Sequence, residues 1–237
     1  MRHEGLIALI KEKGVAGIVE WRAGEDFKDY GLPLDHADFR GIDLCGADLS
    51  GASLMLAEFQ DANLKNVNLS HTSLNEAKFK NAVLIGADFT CSRMESIDFT
   101  GCDLTETNFN LVAGESSCFR SANLQQAKLV KAKLILSVFH DANLSGTDLT
   151  GSDLRYSNLK DTNFSDAILD ETDLCRVKWI DKKSETLWEQ LRKAKKLRSV
   201  FTTLPTLKDK RGLIYSSRPG HIVPREPKPV FHKRPAW

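Results

Sequence analysis

The stretch "ADFRGIDLCGADLSGASL" (residues 37–54) repeats one pattern every five residues, and the same register continues to residue 181. Each unit contains one large apolar residue, here called its centre, from Phe39 to Trp179. Seventeen of the twenty-nine centres are Leu and nine are Phe. Amphipathic helices repeat near 3.6 residues and half-buried strands repeat every two, so neither element fits this period. The pattern predicts a chain that turns a corner once in each unit.

Two further positions of the unit agree with that interpretation. The residue two places before the centre is Ala, Ser, Thr or Cys in twenty-four of the twenty-nine units. The residue directly before the centre is often Asp or Asn, as in Asp38 and Asn63. Asp and Asn suit corners because their side chains bond to nearby backbone groups. We therefore expect one large and one small side chain to point inward in every unit.

Centres of the same type recur every twenty residues. One such column contains only Phe over six positions: Phe39, Phe59, Phe79, Phe99, Phe119 and Phe139. The column from residue 44 to residue 144 is unbroken Leu. Four units therefore complete one coil, and successive coils should stack at the spacing of β-strands, about 4.8 Å. The sequence predicts an all-β solenoid of about seven coils over residues 37–181.

Gly114 is the one centre without a side chain. It stands between Met94 and Leu134 in its column. We expect a local bulge in which Leu111 or Val112 fills the space, and a bend of the rod at that coil.

These units, together with "DANLSGTDLTGSDLRYSNL" (residues 141–159), resemble the pentapeptide repeat family, whose pattern is A(D/N)LXX. The resemblance covers residues 37–179. It implies a right-handed quadrilateral β-helix with the centres in its core and a polar outer surface. The segment "LIKEKGVAGIVEWR" (residues 9–22) also resembles lead-in segments found ahead of such repeats.

Both ends of a solenoid need caps, because an open stack exposes unpaired edges and apolar faces. Residues 1–36 predict an N-terminal cap of short helices, in which Ile18, Val19 and Trp21 cover the first coil. Residues 182–200 predict a C-terminal capping helix. Its apolar stripe and the last centre form either a cap or a dimer contact: Trp179, Leu187, Trp188 and Leu191.

Charge divides the chain into an acidic rod and a basic tail. Residues 37–179 carry a net charge of −7, and residues 180–237 carry +10. Residues 201–237 form a Pro-containing tail without a period, whose targets are the acidic rod itself, a nucleic acid or a protein partner. The basic residues assigned to that contact are Arg218, Arg225, Lys228, Lys233 and Arg234.

No motif for catalysis or for cofactor binding is present in the sequence. The five Cys form no CxxC pair and the six His show no ligand spacing, so we expect reduced thiols, no metal and no cofactor. His140 follows a centre and is expected to point to solvent. No apolar stretch approaches the ~20 residues of a membrane helix. We expect a non-enzymatic, cytoplasmic protein.

The family resemblance supplies the first functional hypothesis. Some pentapeptide repeat proteins protect DNA gyrase and topoisomerase IV from quinolones, as dimers that resemble duplex DNA in width and acidic charge. The net acidic rod fits such mimicry, whereas lysines on its outer surface interrupt the acidic array.

The alternative is a docking scaffold or effector that binds another protein. The segment "KLVKAKLILSVF" (residues 128–139) places apolar side chains at outward positions among lysines. The candidate partner patch is Lys128, Val130, Lys133, Ile135, Leu136 and Val138.

Overall fold

The coils are defined by parallel pairing between residues twenty apart in sequence. The structure is a computed structural model and describes residues 2–24, 31–178 and 201–202. The residue before each centre pairs with its counterpart one coil later, from Pro33 with Ser53 to Asn158 with Lys178. Hydrogen bonds flank each pair, as where the amide of Leu44 donates to Asn63 O at 2.9 Å. The prediction of a four-unit coil is confirmed, while the right-handed winding stays a prediction.

Every corner is a tight turn with one residue in the left-handed region. The carbonyl of most centres accepts a hydrogen bond from the amide three residues later, as between Leu44 and Ala47 at 3.0 Å. The second residue after each centre from Leu34 to Leu174 has a positive φ, and so has Gly31 just before them, which makes thirty such residues. A positive φ at the third turn residue alone marks a type II turn. Only eight of these residues are Gly, so most corners carry a strained L-residue.

The centres and the small residues fill the interior, as the sequence predicts. Phe79 and Leu124 are both fully buried. Consecutive Phe rings of one column lie against each other, and those of Phe59 and Phe79 stack with their centroids 4.8 Å apart. Inward hydroxyls bond to the preceding coil, as where Thr147 Oγ1 donates to Leu124 O at 2.8 Å. Burying a Phe or Leu side chain contributes about 1.5–3 kcal/mol, so the repeated centres supply most of the stabilisation.

Gly114 does not cause the local bulge that the sequence led us to expect, while the bend of the rod at that coil stays a prediction. Ala113 pairs in register with Arg93 and Lys133, so the ladder has no bulge there. Leu111 is exposed and does not fill the space. A Cβ at Gly114 would lie 3.0 Å from Leu134 Cδ2 and 3.1 Å from Met94 Cγ. The side chains of Met94 and Leu134 therefore occupy the space that a side chain at residue 114 would need.

Two helices cover the N-terminal end of the rod: α1 (Arg2–Lys13) and α2 (Val15–Ala23). Leu6, Ile10 and Ile18 are buried against the core. The Arg22 guanidinium donates to Ser50 O at 2.8 Å, and Trp21 Nε1 donates to Gly31 O at 2.8 Å. These contacts join the helices to the first coil. Neither helix has the length and apolar character needed to cross a membrane.

Two details of the N-terminal prediction were wrong. Val19 is 62% exposed and does not cover the first coil, whereas the neighbouring Ile18 is buried. The coils also begin one unit before Ala37. Leu32 and Leu34 are buried at the small and central positions of that extra unit, and Pro33 already pairs with Ser53.

At the other end, the strand β1 (Asp173–Leu174) pairs in parallel with β2 (Phe201–Thr202). Asp173 pairs with Phe201, whereas in a further regular coil it would pair with residue 193. The first two residues of the predicted tail therefore continue the ladder at the edge of the last described coil. The predicted helix over residues 182–200 lies outside the described residues.

Candidate functional site

The outward positions of the rod form four long faces separated by corners. We name each face by the column of paired residues along its middle. Face A runs along Pro33, Ser53, Ser73, Arg93, Ala113, Lys133, Asp153 and Asp173. Face B runs along Asp38, Glu58, Lys78, Asp98, Cys118, Val138, Asn158 and Lys178. Face C runs along Asp43, Asn63, Val83, Asp103, Asn123, Asn143 and Asn163. Face D runs along Asp48, Asn68, Asp88, Asn108, Lys128, Asp148 and Ile168.

The partner patch predicted from the sequence wraps around three of these faces. Lys128 lies on face D and Val138 lies on face B, so they stand on opposite sides of the rod. Lys133 is exposed on face A, and Ile135 and Leu136 follow it at the corner between faces A and B. Val130, Ile135 and Val138 are half-buried rather than exposed. The six residues therefore do not form one contact surface.

A different apolar cluster borders face A. Leu136 is 53% exposed, and Tyr156 occupies the same corner in the next coil with 38% exposure. Across the face, Leu111 is 53% exposed, and its amide donates to Val130 O at 3.0 Å. We call Leu111, Val130, Ile135, Leu136 and Tyr156 the face A patch. Leu111 and Tyr156 were missed from the sequence, although the twenty-residue period places both beside face A.

Basic groups surround the face A patch. Lys131 and Lys133 are exposed, and neither makes an ion pair with another residue of the described part of the chain. Arg155 instead forms an ion pair with Asp153 at 2.6 Å, and this carboxylate raises the pKa of the guanidinium. The Arg176 guanidinium lies 5.5 Å from the centroid of the Tyr156 ring and donates to its hydroxyl at 3.0 Å. The patch is therefore apolar with a cationic border.

Faces C and D are instead acidic and have few basic residues. Within residues 31–178, these faces and the corner between them have two basic residues, Lys65 and Lys128. Their seven carboxylates are Asp43, Asp48, Asp88, Asp103, Glu106, Asp148 and Asp166. Six coil steps at about 4.8 Å give these faces a length of about 29 Å. Duplex DNA of that length carries about 17 negative charges. The acidic array is therefore less than half as dense as that of DNA.

The carboxylates on these faces also accept hydrogen bonds from residues at the corners. Asp88 Oδ1 accepts hydrogen bonds from the amide of Thr90 at 2.9 Å and from its hydroxyl at 2.5 Å. Asn occupies equivalent places, as where Asn143 Nδ2 donates to Asn123 Oδ1 in the preceding coil at 3.0 Å. The expectation that Asp and Asn bond beside the corners is confirmed. Their recurrence follows from the repeat, and catalysis is not needed to explain it.

None of the five cysteines forms a disulfide. Cys102 is buried, and its thiol donates to Phe79 O with Sγ 2.7 Å from that oxygen. Burial raises the pKa of the Cys102 thiol to about 12. Such a thiol is a poor nucleophile, because the thiolate is the reactive form.

Two sets of predicted site residues lie outside the described residues. The first is the candidate cap or dimer contact at Trp179, Leu187, Trp188 and Leu191. The second is the candidate tail contact at Arg218, Arg225, Lys228, Lys233 and Arg234.

Comparison with known proteins agrees with this geometry. A family model described as a pentapeptide repeat region matches residues 33–109, and a second, described as pentapeptide repeats, matches residues 117–155. The chain belongs to the pentapeptide repeat family. No curated protein matches this pentapeptide repeat chain.

Solved pentapeptide repeat proteins are similar to this chain at low identity. HetL of Nostoc sp. strain PCC 7120, involved in heterocyst differentiation regulation, is 20% identical, with 79% of this chain and 96% of HetL covered and a TM-score of 0.37. QnrB1, a plasmid-mediated fluoroquinolone resistance protein, is 24% identical, with 69% and 95% covered and a TM-score of 0.41. Both TM-scores lie below 0.5, so the family assignment rests on the repeat models.

Proposed function

We propose that this pentapeptide repeat protein is a non-enzymatic binding protein that docks one protein partner on the face A patch. The observation that carries the proposal is the placement of Leu136. Its side chain is exposed at a corner where its φ is 61°, and Tyr156 follows at the same corner with the same φ.

Energetics favour a binding role for these corners over a purely structural one. A left-handed L-residue costs roughly 1–2 kcal/mol, and Gly or Asn would adopt that conformation at lower cost. Leu111 has the same left-handed geometry and is also exposed. Each leucine therefore combines backbone strain with exposed apolar surface, and burial against a partner would offset both.

The charges around the patch indicate the chemistry of the partner. Lys131 and Lys133 are exposed and form no ion pairs within the described residues. A partner surface with apolar side chains at its centre and carboxylates at its rim would match both features. An amphipathic acidic segment of another protein has this composition.

The test is site-specific photo-crosslinking in extract of the native cells. A benzoyl-phenylalanine at position 136 is compared with one at position 56, because Leu56 occupies the same corner column and is also left-handed. We expect a crosslinked protein at position 136 and none at position 56. The double variant Val130→Asp/Leu136→Asp should lose the interaction while its circular dichroism stays unchanged. The proposal fails if both positions capture the same proteins or if the double variant still binds.

A second candidate function rests on faces C and D. We propose, as the alternative, that their carboxylates compete with DNA for a basic protein groove such as that of DNA gyrase. A gyrase supercoiling assay with ciprofloxacin, with and without excess protein, tests this directly. The informative variant is Asp43→Asn/Asp103→Asn/Asp148→Asn, because Asn retains the oxygen that accepts the corner hydrogen bond.

The control for that variant is Asp98→Asn on face B, a matched change outside the acidic faces. Mimicry predicts that the triple variant loses protection and that the control retains it. No effect of the unaltered protein on supercoiling or on drug-trapped cleavage ends this alternative.

A further inference from the structure

A histidine and two carboxylates meet at the corner between faces B and C. His140 and Asp141 form this corner in one coil, and Asp161 occupies the place of Asp141 in the next coil. His140 Nε2 lies 3.2 Å from Asp141 Oδ2. One ligand atom from each of the three residues lies within 4.8 Å of the other two. No ligand spacing is visible along the sequence here, because the coil brings together residues that are twenty apart.

The orientation of His140 is fixed by the backbone. The ring is largely covered, contrary to the prediction that it points to solvent, and Nδ1 lies 3.1 Å from Lys160 O. A carbonyl oxygen only accepts hydrogen bonds, so Nδ1 carries the proton that this contact requires. In the neutral ring the Nε2 lone pair then faces the Asp141 carboxylate. Two acceptors at this distance repel each other unless a cation lies between them.

We propose that His140, Asp141 and Asp161 bind a divalent transition-metal ion of the Zn²⁺ type. Imidazole nitrogen and carboxylate oxygen are ordinary zinc ligands at about 2.0–2.2 Å, and a hydrogen bond from the other ring nitrogen to a backbone carbonyl is the usual support for a zinc-bound histidine. Both Asp side chains are more than half exposed, so they rotate freely toward an ion, and water completes the coordination.

Lys160 is the competing cation at this corner. Its Nζ lies 3.8 Å from Asp161 Oδ2, and its side chain is 42% exposed. A pair this long and this exposed is weak, so a divalent ion displaces it readily. Because Asp141 and Asp161 belong to successive coils, the bound ion joins those coils. The corner lies between faces B and C, so the site is independent of the face A patch.

Isothermal titration of the full chain with ZnCl₂, in a buffer that does not bind zinc, tests the proposal. Other His and Cys residues bind zinc adventitiously, so the readout is the difference between variants. We expect His140→Ala to lose one equivalent of bound zinc, and Asp141→Asn and Asp161→Asn each to weaken that equivalent at least ~10-fold. The matched controls are His36→Ala and Asp166→Asn. His36 is an exposed corner histidine beside Asp35, but the next coil has Met55 in the place of the second carboxylate.

A thermal shift gives a second measurement. Zinc at a hundredfold excess over its dissociation constant should raise the melting temperature of the unaltered protein by roughly 5 °C more than that of Asp161→Asn. Asp161 is exposed, so this variant should fold even if His140→Ala does not. Equal stoichiometry and affinity in the unaltered protein, His140→Ala and Asp161→Asn would overturn the proposal. Absence of zinc binding by the unaltered protein would also overturn it.

Discussion

The rings of Phe119 and Phe139 are parallel to within 1°, with their centroids 4.8 Å apart. The pair belongs to the column of six phenylalanines, and both side chains are fully buried. We expect Phe119→Ala to lower the free energy of unfolding by about 3–5 kcal/mol, because it leaves a cavity between two coils. Phe119→Leu should cost only about 1 kcal/mol, since Leu is the usual centre elsewhere. Urea unfolding midpoints measure both, and equal losses for the two variants would contradict the packing account.

Ser152 and Ser157 provide a matched pair of buried hydroxyls. Ser157 Oγ donates to Leu134 O at 2.9 Å and accepts from the amide of Ser137 at 3.0 Å. Ser152 Oγ has no hydrogen-bond partner in the described part of the chain. We expect Ser157→Ala to lower the free energy of unfolding by about 1–3 kcal/mol and Ser152→Ala to raise it by about 1 kcal/mol. Thermal melting of the two single variants measures both changes, and a loss of stability in Ser152→Ala would contradict the prediction.

Leu136 offers a test of the strain at the corners. We expect Leu136→Asn to raise the free energy of unfolding by about 1 kcal/mol, because Asn adopts the left-handed conformation at lower cost. Ile135→Asn is the control, since the φ of Ile135 is not positive. If the face A patch binds a partner, Leu136→Asn should also weaken that binding while it stabilises the free protein. Similar stability changes in both variants would show that the corner is not strained.

Replacement of Gly114 by Leu, the usual centre, should lower the free energy of unfolding. Gly114→Leu would force its side chain against Met94 and Leu134, and overpacking of this kind costs about 1–3 kcal/mol. The double variant Gly114→Leu/Met94→Ala should recover part of that loss, because the shorter side chain makes room. A double-mutant cycle measures the coupling energy. Additive effects would mean that Met94 does not occupy the space above the glycine.

The cysteines should differ in reactivity according to their surroundings. Burial raises the pKa of Cys102 to about 12, and burial with the nearby Asp173 raises the pKa of Cys175 to about 12. Iodoacetamide at pH 8 should therefore label the exposed Cys45 first and Cys102 last. Peptide mass spectrometry gives the order. Labelling of Cys102 as fast as Cys45 in the native protein would contradict it.

The raised pKa of Cys102 also makes the free energy of unfolding depend on pH. In the unfolded chain the thiol of Cys102 ionises from about pH 9, whereas in the folded protein its pKa is about 12. The unfolded state therefore binds fewer protons between these values, and the free energy of unfolding should fall as the pH rises from 9 to 12. Cys102→Ala should show a shallower fall. Parallel pH profiles for the two proteins would refute the assignment.

Sequence reasoning predicted the interior better than the exterior. Phe79 and Leu124 are buried as expected, because a five-residue period has one geometric solution for its large side chains. Val19 was misplaced, because a nine-residue helix does not reveal which side faces the coil. The candidate partner patch was chosen by adjacency in sequence, whereas Leu136 and Tyr156 are neighbours through the coil period. The same period brings Asp161 to His140, although reading along the chain separates them.

The pairing of each residue with the one twenty places later fixes how this molecule tolerates changes in length. Removal of one pentapeptide upstream of Leu136 would rotate everything beyond the cut by a quarter turn relative to the N-terminal helices, and Leu136 would move to the neighbouring edge. Removal of four pentapeptides would preserve the phase and shorten the rod by about 4.8 Å. Insertions and deletions therefore leave the orientation of the surfaces beyond them unaltered only when their length is a multiple of four pentapeptides.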